Sequence, residues 1–184
     1  MKKYFIHFIA IVFIFFASIS QAALPSKKAS LVIDSSNGKI LHAENEHIQK
    51  YPASLVKMMT LYLTFQKLNQ GELTLDKQLL VSKKAAAMPR TNLSLKAGST
   101  ISVRKAILGL IVHSSNDAAV VLAEAIDGKE SNFAIRMNAQ AKKLGMRNTI
   151  YHNASGWHNK RQKSTAFDLA KLAIALKKDF PQYF

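Results

Sequence analysis

A chain of 184 residues with 48% hydrophobic and 20% charged positions is composed like one globular domain, which excludes a disordered or fibrous protein. It contains no cysteine, so neither a disulfide framework nor a zinc–thiolate site can form. The net charge of +15 favours anionic polymers in general, yet the cations are spread in pairs such as Lys27-Lys28 and Lys142-Lys143, without interleaved aromatics, which argues against nucleic-acid binding.

The chain opens Met1-Lys2-Lys3, runs apolar over residues 4–17 and then offers the small pair Ser20 and Ala22. This order predicts a secretory signal peptide over residues 1–22, cleaved after Ala22. Residues 23–184 are then expected to form part of a single domain. No later stretch is long and apolar enough to span a bilayer, so after export the product is expected to be soluble or peripherally membrane-associated, unless a C-terminal anchor lies outside the given sequence.

Residues 30–34 and 39–43 have strand character and flank Ser35-Ser36-Asn37-Gly38, the turn chemistry of a β-hairpin. A polar connection over 44–50 leads into a helix that starts around Ser54 and ends near Asn69-Gln70-Gly71. A short extended piece is expected within 74–82, loop over 85–92 and a turn over 95–101. Ser102 caps a helix over 103–112, with Val103, Ile107, Leu110 and Ile111 on one face. The polar interruption His113-Ser114-Ser115-Asn116-Asp117 separates it from a second apolar run over 118–126, closed by Asp127-Gly128. A further helix covers 131–144 with Gly145 as its stop, residues 148–162 read as loop, and Ser164 caps a last helix to about Lys178. Helices dominate and the one confident hairpin is marginal by itself. With Phe180, Tyr183 and Phe184 closing the sequence, this predicts a domain cut short before its sheet is finished.

Chemistry concentrates at Tyr51-Pro52-Ala53-Ser54-Leu55-Val56-Lys57. On a helix Ser54 and Lys57 stand three apart and share a face. A serine hydroxyl is a weak nucleophile until a neighbouring base takes its proton. Lysine serves only when neutral, and bringing its pKa from about 10.4 to about 7 requires on the order of 4 to 5 kcal/mol. Burial and the positive end of a helix dipole both act in that direction. The Met58-Met59 pair reads as core beside the nucleophile, and His113 and His158 as surface histidines.

Together, Ser54-x-x-Lys57 and Ser114-Ser115-Asn116 resemble the penicillin-binding serine acyl-transferases. Three flanking segments, 29–44, 95–119 and 137–156, are similar to the low-molecular-weight D-alanyl-D-alanine carboxypeptidases. The resemblance implies an α/β fold, the penicillin-binding and β-lactamase-like α/β/α sandwich, helix-rich here and lacking its C-terminal strands. It implies Ser54 as nucleophile, Lys57 as general base, Ser114 as proton relay and Asn116 as the orienting amide. It also implies a peptidoglycan stem peptide as substrate, β-lactam antibiotics as inhibitors, and neither metal nor organic cofactor. The family's third motif, Lys-Thr-Gly, occurs nowhere in the sequence. Its strand carries an oxyanion donor, and losing one such donor slows a reaction about 100- to 1000-fold. The alternative is therefore a catalytically impaired remnant that only binds wall material. A class A β-lactamase is disfavoured, because neither Glu124 nor Glu130 has the loop context of a deacylating glutamate. Residues 152–156 are expected to border the site in a steric or structural role.

Overall fold

The computed structural model describes residues 28–183, so the expected signal peptide lies outside the described residues. Strands β1 (Ser30–Ile33) and β2 (Ile40–Glu44) pair antiparallel as the turn chemistry predicted, with a register shift between Val32 and Ile33. The connection is longer than a two-residue turn. Asp34 accepts from the Ser36 amide at 2.8 Å, and Gly38, at φ 76°, supplies the left-handed residue that closes it. The hairpin packs on the last helix.

A 3₁₀ turn, Ala53–Val56, leads directly into α1 (Lys57–Asn69). The helix stops where expected, with Gly71 at φ 71°. Two short elements escaped the sequence reading. Residues 85 and 86, the start of the expected loop, instead close α2 (Lys83–Ala86), which Ser82 caps by accepting from the Ala85 amide. Residues 100 and 101, expected as turn, join Ser102 in a strand that pairs antiparallel with β3 (Gln78–Leu80); this strand is β4 (Thr100–Ser102). Elements of three or four residues are too short to display a period.

Ser102 caps α3 (Val103–His113) as predicted, accepting from the Lys105 amide. Its buried face differs from expectation: Ile111 is 55% exposed, whereas Ala106 and Gly109 are buried beside Val103, Ile107 and Leu110. The small residues let α3 approach α4 (Asn116–Asp127) closely, and the larger Ile111 is left outside. Every residue of α4 from Asn116 to Ala123 is buried. A helix apolar all round belongs at the centre, and α4 packs against α1, α2, α3 and α5 (Glu130–Lys143).

The loop after α5 folds on itself through a single bridge, Ile150 to Lys163, and a second bridge, Lys50 to Ser164, ties it to the segment that leads from β2 to the Ser54 turn. Ser164 is therefore taken by that pairing, and its hydroxyl bonds Thr149 at 2.9 Å. The cap of α6 (Ala166–Asp179) is instead Thr165, which accepts from the Asp168 amide. Phe180 is buried against Tyr62, and Tyr183 stacks on Phe65, so the closing aromatics complete the α1 side of the core. Among the described residues no helix is long and apolar enough to cross a membrane.

Candidate active site

The sequence around Ser54 does not open a helix with a serine cap. Pro52 precedes the turn without a side-chain cap bond, and Ala53 adopts φ 47°. The Ser54 hydroxyl is thus not used to hold the backbone. In a 3₁₀ turn, residues i and i+3 eclipse one another. Ser54 and Lys57 consequently lie on one edge, with Lys57 Nζ 3.5 Å from Ser54 Oγ. Ser54 is exposed, while Lys57 is only 3% exposed.

Two distant segments close over the amine. Asn116, the first residue of α4, accepts from Lys57 Nζ at 2.9 Å through Oδ1. Its Nδ2 donates to the Pro89 carbonyl at 2.9 Å, a partner that can only accept, so the amide orientation is fixed. The Ser155 carbonyl takes a second N–H of Lys57 at 2.5 Å. Burial pulls the Lys57 pKa down from 10.5 to about 8. The direction is the one expected, but the value stops short of the 7 at which half of the amine would be neutral at neutral pH.

Ser114 sits in the two-residue link between α3 and α4, left-handed at φ 52°, and its carbonyl accepts from Thr91 Oγ1 at 2.8 Å. Its hydroxyl makes no hydrogen bond among the described residues, to Ser54 and Lys57 in particular. The fold thus brings Ser54, Lys57 and Asn116 into one hydrogen-bonded cluster and leaves Ser114 at its border. Beneath them the buried carboxylate of Asp117 accepts from the amides of Leu93, at 2.9 Å and 3.1 Å, and Leu95, at 3.2 Å. This pins the 91–95 segment to the start of α4. Asp117→Ala leaves those part-buried donors without their acceptor and is expected to lower stability by about 1 to 3 kcal/mol. Urea unfolding measures it; a loss below about 1 kcal/mol would remove Asp117 from this role.

The Ser155 carbonyl is the contact that sequence reasoning missed. Residues 152–156 were expected to border the site, and they do, but a backbone oxygen carries no side-chain signature. The readable signal was Gly156, at φ 83°, where any side chain would overlap the Ala53 carbonyl of the Ser54 turn. His113 and His158 are exposed, and His158 lies tilted against Tyr51 with 5.3 Å between ring centroids. Met59 is fully buried in the core, as expected of that pair. Among the described residues no three His, Asp or Glu side chains converge as metal ligands.

An exposed hydroxyl beside a dry, depressed-pKa amine that spends two N–H bonds on fixed acceptors is a layout for proton abstraction from serine. The chain is similar to the D-alanyl-D-alanine carboxypeptidase DacF of Bacillus subtilis, 34% identical over 151 residues, which cover 82% of this chain and 39% of that protein. It superposes on the crystal structure of the D-alanyl-D-alanine carboxypeptidase DacD from Francisella tularensis with a TM-score of 0.82 at 35% identity, covering 86% and 40% of the two chains. On penicillin binding protein 5 from Haemophilus influenzae the TM-score is 0.81 at 33% identity, covering 84% and 46%. The fold is therefore that of the penicillin-binding proteins, and the chain spans about two fifths of the curated relative's length. The family profile described as D-alanyl-D-alanine carboxypeptidase matches residues 17–184, the whole of the stretch that holds Ser54, Lys57 and Asn116, and to that family this chain belongs.

Proposed function

We propose that this chain carries the acyl-transfer site of a serine D-alanyl-D-alanine carboxypeptidase that removes the terminal D-alanine of peptidoglycan stem peptides through an acyl-enzyme. Ser54 attacks the carbonyl of the penultimate residue and Lys57, when neutral, takes the hydroxyl proton. Asn116 orients Lys57 and the substrate amide. Ser114, at the border of the cluster, passes a proton to the leaving amine. Water then hydrolyses the ester, and penicillins enter the same path and stall there. The protein acts after export, in the periplasm or cell envelope, with residues 1–22 removed.

One observation carries this reading. A neutral amine has two N–H donors and one lone pair. Lys57 spends its donors on Asn116 Oδ1 and the Ser155 carbonyl, which leaves the lone pair for the Ser54 hydroxyl 3.5 Å away. The name of the Haemophilus influenzae structure, a penicillin binding protein, supports the inhibitor class.

A second reading is binding of wall material without turnover: Lys-Thr-Gly does not occur within residues 1–184, which span about two fifths of the curated relative's length. Fluorescent penicillin separates the two. Covalent label on the wild-type chain that disappears in Ser54→Ala supports acyl transfer. A folded chain that takes no label, yet sediments with purified peptidoglycan, supports the second.

A further inference from the structure

We propose that Glu130 is a positioning residue for Lys57: through the Ala154 amide it holds the Ser155 carbonyl where the amine binds it. This rests on the reading of Lys57 as the base. Glu130 is the first residue of α5 and only 6% exposed. A glutamate in the first turn of a helix is favoured by the helix dipole, but that role needs no withdrawal from water. Here the carboxylate is spent on a loop 24 residues away, accepting from the Ala154 amide at 2.9 Å through Oε1. Its other oxygen receives Lys84 Nζ, from α2, at 2.6 Å. Burying a carboxylate is costly unless it is paired, and Lys84, whose side chain is half exposed, supplies the partner from the solvent side.

The consequence falls on the next peptide. The Ala154 carbonyl accepts from Thr60 Oγ1 at 2.7 Å. Ala154 is therefore gripped at both ends, by Glu130 at its N–H and by Thr60, one helical turn after Lys57, at its C=O. With that residue fixed, the following carbonyl, of Ser155, faces Lys57 Nζ at 2.5 Å. Charge-assisted bonds to a carboxylate are shorter and stronger than neutral ones, so Glu130 holds the loop more tightly than a hydroxyl or amide would. Without it the Ala154 N–H is stranded, the loop shifts or admits water, and the amine is resolvated. The partners of Lys57 are a hydroxyl, an amide and a carbonyl, and none of them is charged. Its protonation midpoint therefore reports the dryness and placement of the loop.

Nuclear magnetic resonance titration of the Lys57 ammonium, with hydrogen exchange at the Ala154 amide, tests this on the chain itself. Wild type should titrate near 8. Glu130→Ala should raise the midpoint by at least about half a pH unit and speed Ala154 exchange by about tenfold or more. Glu130→Gln keeps an acceptor but sets an amide NH₂ against the Lys84 ammonium, so it falls between. Adding Lys84→Met removes that conflict, and E130Q/K84M should return both readouts close to wild type. A folded Glu130→Ala with both unchanged, or a double variant no better than Glu130→Ala, overturns the proposal. If Glu130→Ala does not fold, the comparison of Glu130→Gln with E130Q/K84M decides. Should wild-type Lys57 itself titrate near the ordinary 10.5, the base assignment fails instead, and Ala154 exchange alone judges the role of Glu130.

Discussion

Gly156→Ala is expected to lower the melting temperature by about 10 °C and to disorganise the turn that carries Ser54. Two costs add at this position. The backbone stands at φ 83°, a region that L side chains rarely adopt. A Cβ there would also overlap the Ala53 carbonyl group and press within 3.1 Å of the Ser54 nitrogen. The obstacle is backbone, so no side chain can rotate away. Overpacking of this kind costs about 1 to 3 kcal/mol, and the left-handed strain about 1 kcal/mol more. For a domain of this size each kcal/mol moves the melting temperature by about 2 to 4 °C. Because the clash falls on the residue before Ser54, penicillin labelling should fall further than stability does. A variant that melts within about 2 °C of wild type and labels normally would show that the two loops do not touch as described.

Lys57→Met is expected to slow acylation of Ser54 by about 100- to 10,000-fold while leaving the circular dichroism spectrum intact, the span typical of a lost general base. The wild-type rate carries the complementary signature. Only the neutral amine accepts a proton, so acylation should rise about tenfold per pH unit below pH 8 and level off above it. A midpoint near 6.5, the ordinary histidine value, would assign the proton transfer to another group. Stability follows from the same shift. The native state binds the Lys57 proton less tightly than the unfolded chain does, so between about pH 8 and 10.5 the unfolded state holds more protons. Stability at this site therefore rises with pH across that window, and the penalty is fully present below it.

Local physics made much of the fold legible. Ser102 before an apolar period, Gly71 and Gly145 after one, and Asn37-Gly38 between two apolar runs announced α3, the ends of α1 and α5, and the hairpin. Other decisions were settled by neighbours far away in sequence. Ser164 and Thr165 are equally good caps in isolation; pairing of Ser164 with Lys50 and Thr149 leaves Thr165 to do it. Ile111 fits the apolar stripe of α3 on paper, yet the buried face runs through Ala106 and Gly109, where Leu93 from a distant loop comes close, and Ile111 is left exposed. Helix α2 and strand β4 hold too few residues for a period to register.

At the site the division is sharper. The sequence by itself determined which groups are available: a hydroxyl three residues before an amine, and an amide on a polar link between two helices. Only tertiary structure decided how dry the amine is and which acceptors it meets. Its proton affinity depends on exclusion of water and on acceptors held in place by residues 59 and 98 positions away, Asn116 and Ser155. Solvation of a side chain is a property of everything packed around it, and no local spacing encodes it.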